Sequence, residues 1–232
     1  KRFVLSNKDF SMKFQEILLD IPAKYLEASN CIIERAKKYL DAEIDDNIYI
    51  SLTDHIHMAV RRYLDGMQVP NPLLLDIKRF YNKEYEIGCQ ALEIIKDQLK
   101  VELPEDEAGF IALHFVNAGY KETTTKSITS TKIIKDVLNI IKCHFSLDLD
   151  ENDLNYDRLL THLKYFAKRI VNNNQDNSTD SNFAKMIAKT YQESYECAVK
   201  IGDYILKNNN YYVNDEEKVY LTMHIQRVIN VA

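Results

Sequence analysis

The stretch LPEDEAGFIALHFVNAG, residues 103–119, decides how the chain folds. It opens as a helix should. Pro104 suits a first turn whose N–H groups have no intrahelical partner, and Glu105, Asp106 and Glu107 complement the positive end of the helix dipole. The body is apolar, and Gly119 is expected to end it. At helical spacing Phe110, Ile111 and Ala118 surround His114, so the imidazole lies on or beside the face to be buried. A single histidine there has an ordinary explanation as a hydrogen-bonded core or interface residue, because environment alone makes an imidazole structural or reactive.

The arrangement recurs, and a duplicated pattern is read before any single residue. VNDEEKVYLTMHIQRVIN, residues 213–230, again passes from an acidic first turn through apolar positions to a histidine. Glu107 precedes His114 by seven residues, as Glu217 precedes His224. The offset of 110 also aligns Tyr85-Glu86 with Tyr195-Glu196. Upstream, SLTDHIHMAVRRYL carries His55 and RLLTHLKYFAKRI carries His162, at an offset of 107. Arginine follows each by seven residues, Arg62 and Arg169, two turns along the same face. Each of two repeats therefore holds two histidines in equivalent places.

Composition agrees with this organisation. At 232 residues the chain accommodates two domains of roughly 110 residues, each able to bury a core. A hydrophobic content of 46%, with only five glycines and four prolines, favours long helices over turn-rich sheets. No apolar run reaches the roughly 18 residues of a membrane span and no signal peptide opens the chain, so membrane insertion is not expected and a cytoplasmic location is. Cys31, Cys89, Cys143 and Cys197 are widely spaced without a CxxC pair, which suggests reduced, buried thiols rather than a zinc site or a disulfide framework. A net charge of −5 argues against a broad nucleic-acid-binding surface on these residues. The start at Lys1, without methionine, suggests a fragment.

Helices are expected at about 8–20, 22–42, 46–65, 72–99 with an interruption near Tyr81, and 104–118, then at 131–145, 155–171, 181–207 and 214–230. Gly66 is placed to stop the third. KETTTKSITS, residues 121–130, is polar and lacks an apolar stripe, so it reads as a linker between a first domain at 1–120 and a second at 131–232. NNNQDNSTDSN, residues 172–182, reads as a mobile surface loop. The fold class is all-α: two homologous bundles of about five helices in tandem.

His55 and His57 diverge by about 200° on a helix and cannot chelate together. His57 and His144 lack partners at the repeat offsets and read as surface or boundary residues. No HD dipeptide, Gly-rich phosphate loop, GxSxG elbow or HExxH helix is present, so hydrolytic catalysis has no foothold, and no metal or cofactor is called for. Phosphoryl acceptance fits four histidines on rigid helices. A neutral ring nitrogen attacks the phosphoryl group while the other nitrogen is held by an acceptor such as Asp54, Glu107 or Glu217. Arg62 and Arg169 are candidates to meet the arriving phosphate in fork geometry, or are solvated or ion-paired helix residues.

At these residues the chain resembles the PTS regulation domain family over essentially its whole length, in particular the tandem regulation domains of BglG/LicT-type transcriptional antiterminators. SLTDHI, LPEDEAGFIALHF, THLKYFAKRI and LTMHI look like the histidine-bearing segments of that family. The resemblance implies that His55 and His114 are phosphorylation sites of the first domain and His162 and His224 those of the second. Thr161 stands where the first domain has Asp54, so a shared carboxylate before the histidine is not kept. It further implies a homodimer, an RNA-binding domain preceding Lys1 as the only route to RNA, and two phosphate donors: the carrier HPr and the EIIB domain of a sugar-specific permease. The expected function is regulatory, with phosphorylation re-setting a two-fold interface and hence antitermination in sugar utilisation. A histidine phosphotransfer relay carrier is the alternative, although such carriers usually need one exposed histidine per bundle. A third reading is a helical interaction module whose histidines tune assembly with pH.

Overall fold

The computed structural model describes residues 21–40, 44–120, 124–174 and 181–230. They form ten helices: α1 Ala23–Tyr39, α2 Ile48–Leu64, α3 Leu74–Phe80, α4 Asn82–Leu99, α5 Glu105–Tyr120, α6 Thr124–Phe145, α7 Leu154–Asn172, α8 Ser181–Thr190, α9 Gln192–Asn209 and α10 Asp215–Ile229. No strand occurs among the described residues. The chain divides into two compact units, Lys1–Ile128 and Thr129–Ala232.

In the first unit the apolar stripes follow helical spacing and meet in one core. Ala28, Ile32, Ile33 and Ala36 of α1 pack with Leu52, Ile56 and Val60 of α2, Ile87, Ala91 and Ile95 of α4, and Ile111 and Phe115 of α5. Helix α2 ends where Gly66 takes a left-handed φ of 76° and the Met67 N–H returns to the Arg62 carbonyl at 2.9 Å. Helices α4 and α5 lie unusually close, because a Cβ at Gly88 would collide with the Ala108 carbonyl oxygen.

The acidic first turn of α5 does more than complement a dipole. Glu105 accepts hydrogen bonds from Lys78 and Tyr85 at 2.5 and 2.6 Å. Asp106 accepts one from the Asn71 N–H at 2.6 Å, and Glu107 faces α2. Three consecutive carboxylates thus tie α5 to α2, α3, α4 and the loop that carries Asn71.

The second unit repeats the plan. Leu159, Leu163, Phe166 and Ile170 of α7, Cys197, Ala198, Ile201 and Ile205 of α9, and Leu221, Ile225 and Val228 of α10 are buried. Asp136 of α6 accepts a hydrogen bond from Tyr204 of α9 at 2.6 Å. Asn214 caps α10, its side chain accepting from the Glu217 N–H at 2.8 Å.

Several boundaries differ from the sequence reading. The expected helix at 181–207 is two helices, broken at Tyr191 (φ −124°, ψ 56°) much as the first unit is broken at Tyr81 (φ −131°, ψ 51°). Helix α5 runs through Gly119 to Tyr120, so the glycine does not stop it. Residues 124–130 of the segment read as a linker are helical, and Ser127 and Ser130 are buried there, with Ser127 donating to Asn117. The helix expected at 8–20 and the centre of the loop expected at 172–182 lie outside the described residues. Cys31 and Cys143 are exposed rather than buried.

Candidate functional site

In the first unit α2 contributes His55 and α5 contributes His114, and the two rings meet with centroids 4.8 Å apart. Behind them stands Glu107. Its Oε2 lies 2.9 Å from His55 Nε2, and its Oε1 accepts from Arg62 Nη2 at 3.1 Å. The seven-residue spacings seen in sequence thus serve one contact: two turns along α2 bring Arg62, and two turns back along α5 bring Glu107, to the same place. Only 5% of the Glu107 side chain is exposed. Burial would raise its pKa, but His55 and Arg62 outweigh that and hold the carboxyl below the usual range. His114 is itself buried, with Nδ1 3.4 Å from Ser51 Oγ, and burial, assisted by His55, pushes its pKa down to about 3. It is a neutral imidazole at physiological pH.

The second unit builds the same constellation from α7 and α10. His162 and His224 stack with centroids 4.7 Å apart and planes inclined by 20°. Arg169 Nε donates to Glu217 Oε1 at 3.0 Å. The histidine–carboxylate bond is not made here: His162 Nε2 and Glu217 Oε2 are both buried without a hydrogen-bond partner. Burial, then His224 and Arg169, push the His162 pKa down to about 4. Burial, then Arg227 and Arg158, also lower that of His224. Two cavities flank His162. One of about 340 Å3 is lined by Arg158, Thr161 and His224 among others, and one of about 410 Å3 by Arg169, Glu217 and Tyr220 among others. The second pair of rings is therefore reachable from the surface.

The profile of the PRD domain matches this chain twice, over residues 30–118 and 135–228, and each match contains one such histidine pair. The chain belongs to the PRD domain family. Transcription antiterminator LicT of Bacillus subtilis (strain 168) is 43% identical over the whole chain and 84% of its own length. The Beta-glucoside operon antiterminator of Dickeya chrysanthemi is 38% identical over 98% of this chain and 81% of its own. Among solved structures, the crystal structure of GlcT CAT-PRDI is 32% identical, covers half of this chain and 70% of that one, and gives a TM-score of 0.49.

Each PRD domain brings together two histidines, one glutamate and one arginine that the repeat had marked. It does not bring in Asp54, which is exposed while Glu107 holds His55. Arg62 and Arg169 are bound to Glu107 and Glu217 instead of standing free for a phosphate. His57 packs against the Tyr25 ring at 4.9 Å, and His144 accepts from Lys200 at 3.1 Å. Sequence reading passed over Ser51, Arg158, Arg227 and Tyr211. The first two align with each other at the offset of 107, so the alignment already marked a polar neighbour of the site exchanged for a cation.

Proposed function

We propose that the chain is the regulatory part of a transcriptional antiterminator, a regulator rather than an enzyme, whose histidines are acceptors of phosphoryl groups from the phosphotransferase system. HPr and the EIIB domain of a sugar-specific permease are the donors, and His55, His114, His162 and His224 the acceptors. The observation that carries this reading is the ring-to-ring histidine pair in each domain, with a buried carboxylate and an arginine behind it. Such a pair suits group acceptance: burial keeps His114 and His162 neutral, which leaves a lone pair to attack phosphorus. In the second domain Arg158 and Arg227 add positive charge beside His224, where an arriving dianion is stabilised.

The output is a change in association. A phosphate adds nearly two negative charges, and two such groups about 8 Å apart across a two-fold interface repel by several kcal/mol at an effective dielectric near 20. That exceeds a typical coupling energy of about 1–3 kcal/mol, enough to switch a dimer and the RNA-binding domain it serves. The test is mapping of phosphohistidine, under conditions that preserve the acid-labile bond, after reaction with HPr and with the permease separately. Label on these four histidines, divided by donor, is expected. Absence of label from either donor overturns the reading, and onward transfer from the labelled protein to a receiver domain would replace it with a relay.

A further inference from the structure

The two domains differ at the carboxylate, and also at one residue beside it. Tyr211 lies in the loop before α10, one residue after a left-handed corner at Asn210 (φ 52°). At the offset of 110 it aligns with Val101, which follows the same corner at Lys100 (φ 59°). Tyr211 is buried, and its hydroxyl lies 3.1 Å from both Glu217 Oε1 and the Asn174 carbonyl oxygen, so one proton is shared between two acceptors. Arg169 Nε reaches the same Oε1. Two donors thus converge on one oxygen of Glu217. The other oxygen and His162 Nε2 are left unpartnered, although His162 and Glu217 line the same cavity. In the first domain valine offers no such donor. There Glu107 divides its oxygens, one to Arg62 and one to His55.

We propose that Tyr211 is a positioning residue: its hydroxyl draws Glu217 toward the loop and so leaves His162 without the carboxylate bond that fixes the ring of His55. The proposal rests on the reading of His162 as a phosphate acceptor and says how that acceptor is set. A carboxylate on Nε2 holds the proton there and leaves Nδ1 with the lone pair. Without it the ring is free to choose its tautomer, as the second-domain histidine is. Its low proton affinity, set first by burial and then by His224 and Arg169, fits a ring that no carboxylate touches. Arg158 and Arg169 oppose protonation from its own helix, where Asp157 favours it. From α10, His224 opposes it and Glu216 and Glu217 favour it without touching Nε2.

The experiment is a 15N-histidine NMR titration of the whole chain as wild type, Tyr211→Phe and Tyr211→Phe/Glu217→Gln. Phenylalanine keeps the buried ring and removes only the hydroxyl. In Tyr211→Phe the freed carboxylate is expected to take His162 Nε2, raising its titration midpoint by about one to three pH units and fixing the proton on Nε2. Adding Glu217→Gln is expected to reverse both changes. An unaltered midpoint and tautomer in Tyr211→Phe overturns the proposal, as does a shift that survives Glu217→Gln. Labelling of the same proteins by phospho-HPr separates the two readings. A titration shift in a protein that takes no label sinks phosphate acceptance and leaves the positioning role. Equal labelling with identical titrations does the reverse.

Discussion

Replacing Glu107 by glutamine keeps the side chain's shape and removes its charge, and the cost follows from which partners lose it. Arg62 donates at 3.1 Å and His55 lies at 2.9 Å. At such a separation guanidinium and carboxylate attract by about 5 kcal/mol at an effective dielectric near 20, and burying the carboxylate offsets several kcal/mol of that. Glutamine still accepts from Arg62, but its amide turns donors toward His55 Nε2. Arg62 keeps 29% of its side chain exposed and recruits water, so the loss falls below that of a sealed ion pair, at about 2 kcal/mol. With a urea slope of about 1–3 kcal/mol/M, the first domain's midpoint should fall by about 1 M. Urea unfolding of the whole chain followed by far-UV circular dichroism measures this. Arg62→Ala and the double variant complete a cycle, in which the arginine substitution should matter less by at least about 1 kcal/mol once the carboxylate is gone. A midpoint displaced by less than about 0.2 M, or strictly additive effects, would refute the reasoning.

Acid should weaken the first domain through His114. Its folded pKa is near 3 against an ordinary 6.5, so the unfolded chain binds the proton first, and stability is lost as pH falls from 6.5 toward 3. At about 1.4 kcal/mol per pH unit, wild type should lose about 2 kcal/mol more than His114→Gln between pH 6.5 and 5 in denaturant melts. Asn214→Ala removes the cap of α10 and should cost about 1 kcal/mol by the same melts, with the second-domain transition alone affected. Gly88→Ala drives a methyl group into the Ala108 carbonyl and should cost about 1–3 kcal/mol, visible as a lower Tm. Ala198, its counterpart at the offset of 110, already carries that methyl.

The helices and their duplication were legible because the apolar period and the acidic first turns recur at fixed offsets. The break at Tyr191 was equally within reach, since the offset of 110 that aligns Tyr85 with Tyr195 also aligns Tyr81 with Tyr191. Continuous helical spacing from 181 to 207 concealed it, because one residue leaving the helical region hardly disturbs an apolar stripe. The histidines and their glutamates could be picked out, but not their meeting ring to ring, which depends on how α2 crosses α5 and α7 crosses α10. The arginines show the limit most plainly. Spacing placed them on the histidine face, yet whether guanidinium meets an incoming phosphate or a resident carboxylate is decided by the depth at which Glu107 and Glu217 are buried. The role proposed for Tyr211 was hidden because the first repeat has valine in its place, so no matching pair marked it.

Ring contact within each pair has a consequence for genetics as well as chemistry. Two imidazoles less than 5 Å apart form much of each other's surroundings, so removing either changes the packing and burial that the other meets. Deleting one histidine therefore re-tunes its survivor, and the phenotype of a single substitution is not half the phenotype of the double. Alleles at positions 55 and 114, or 162 and 224, should be scored as crosses, never as sums.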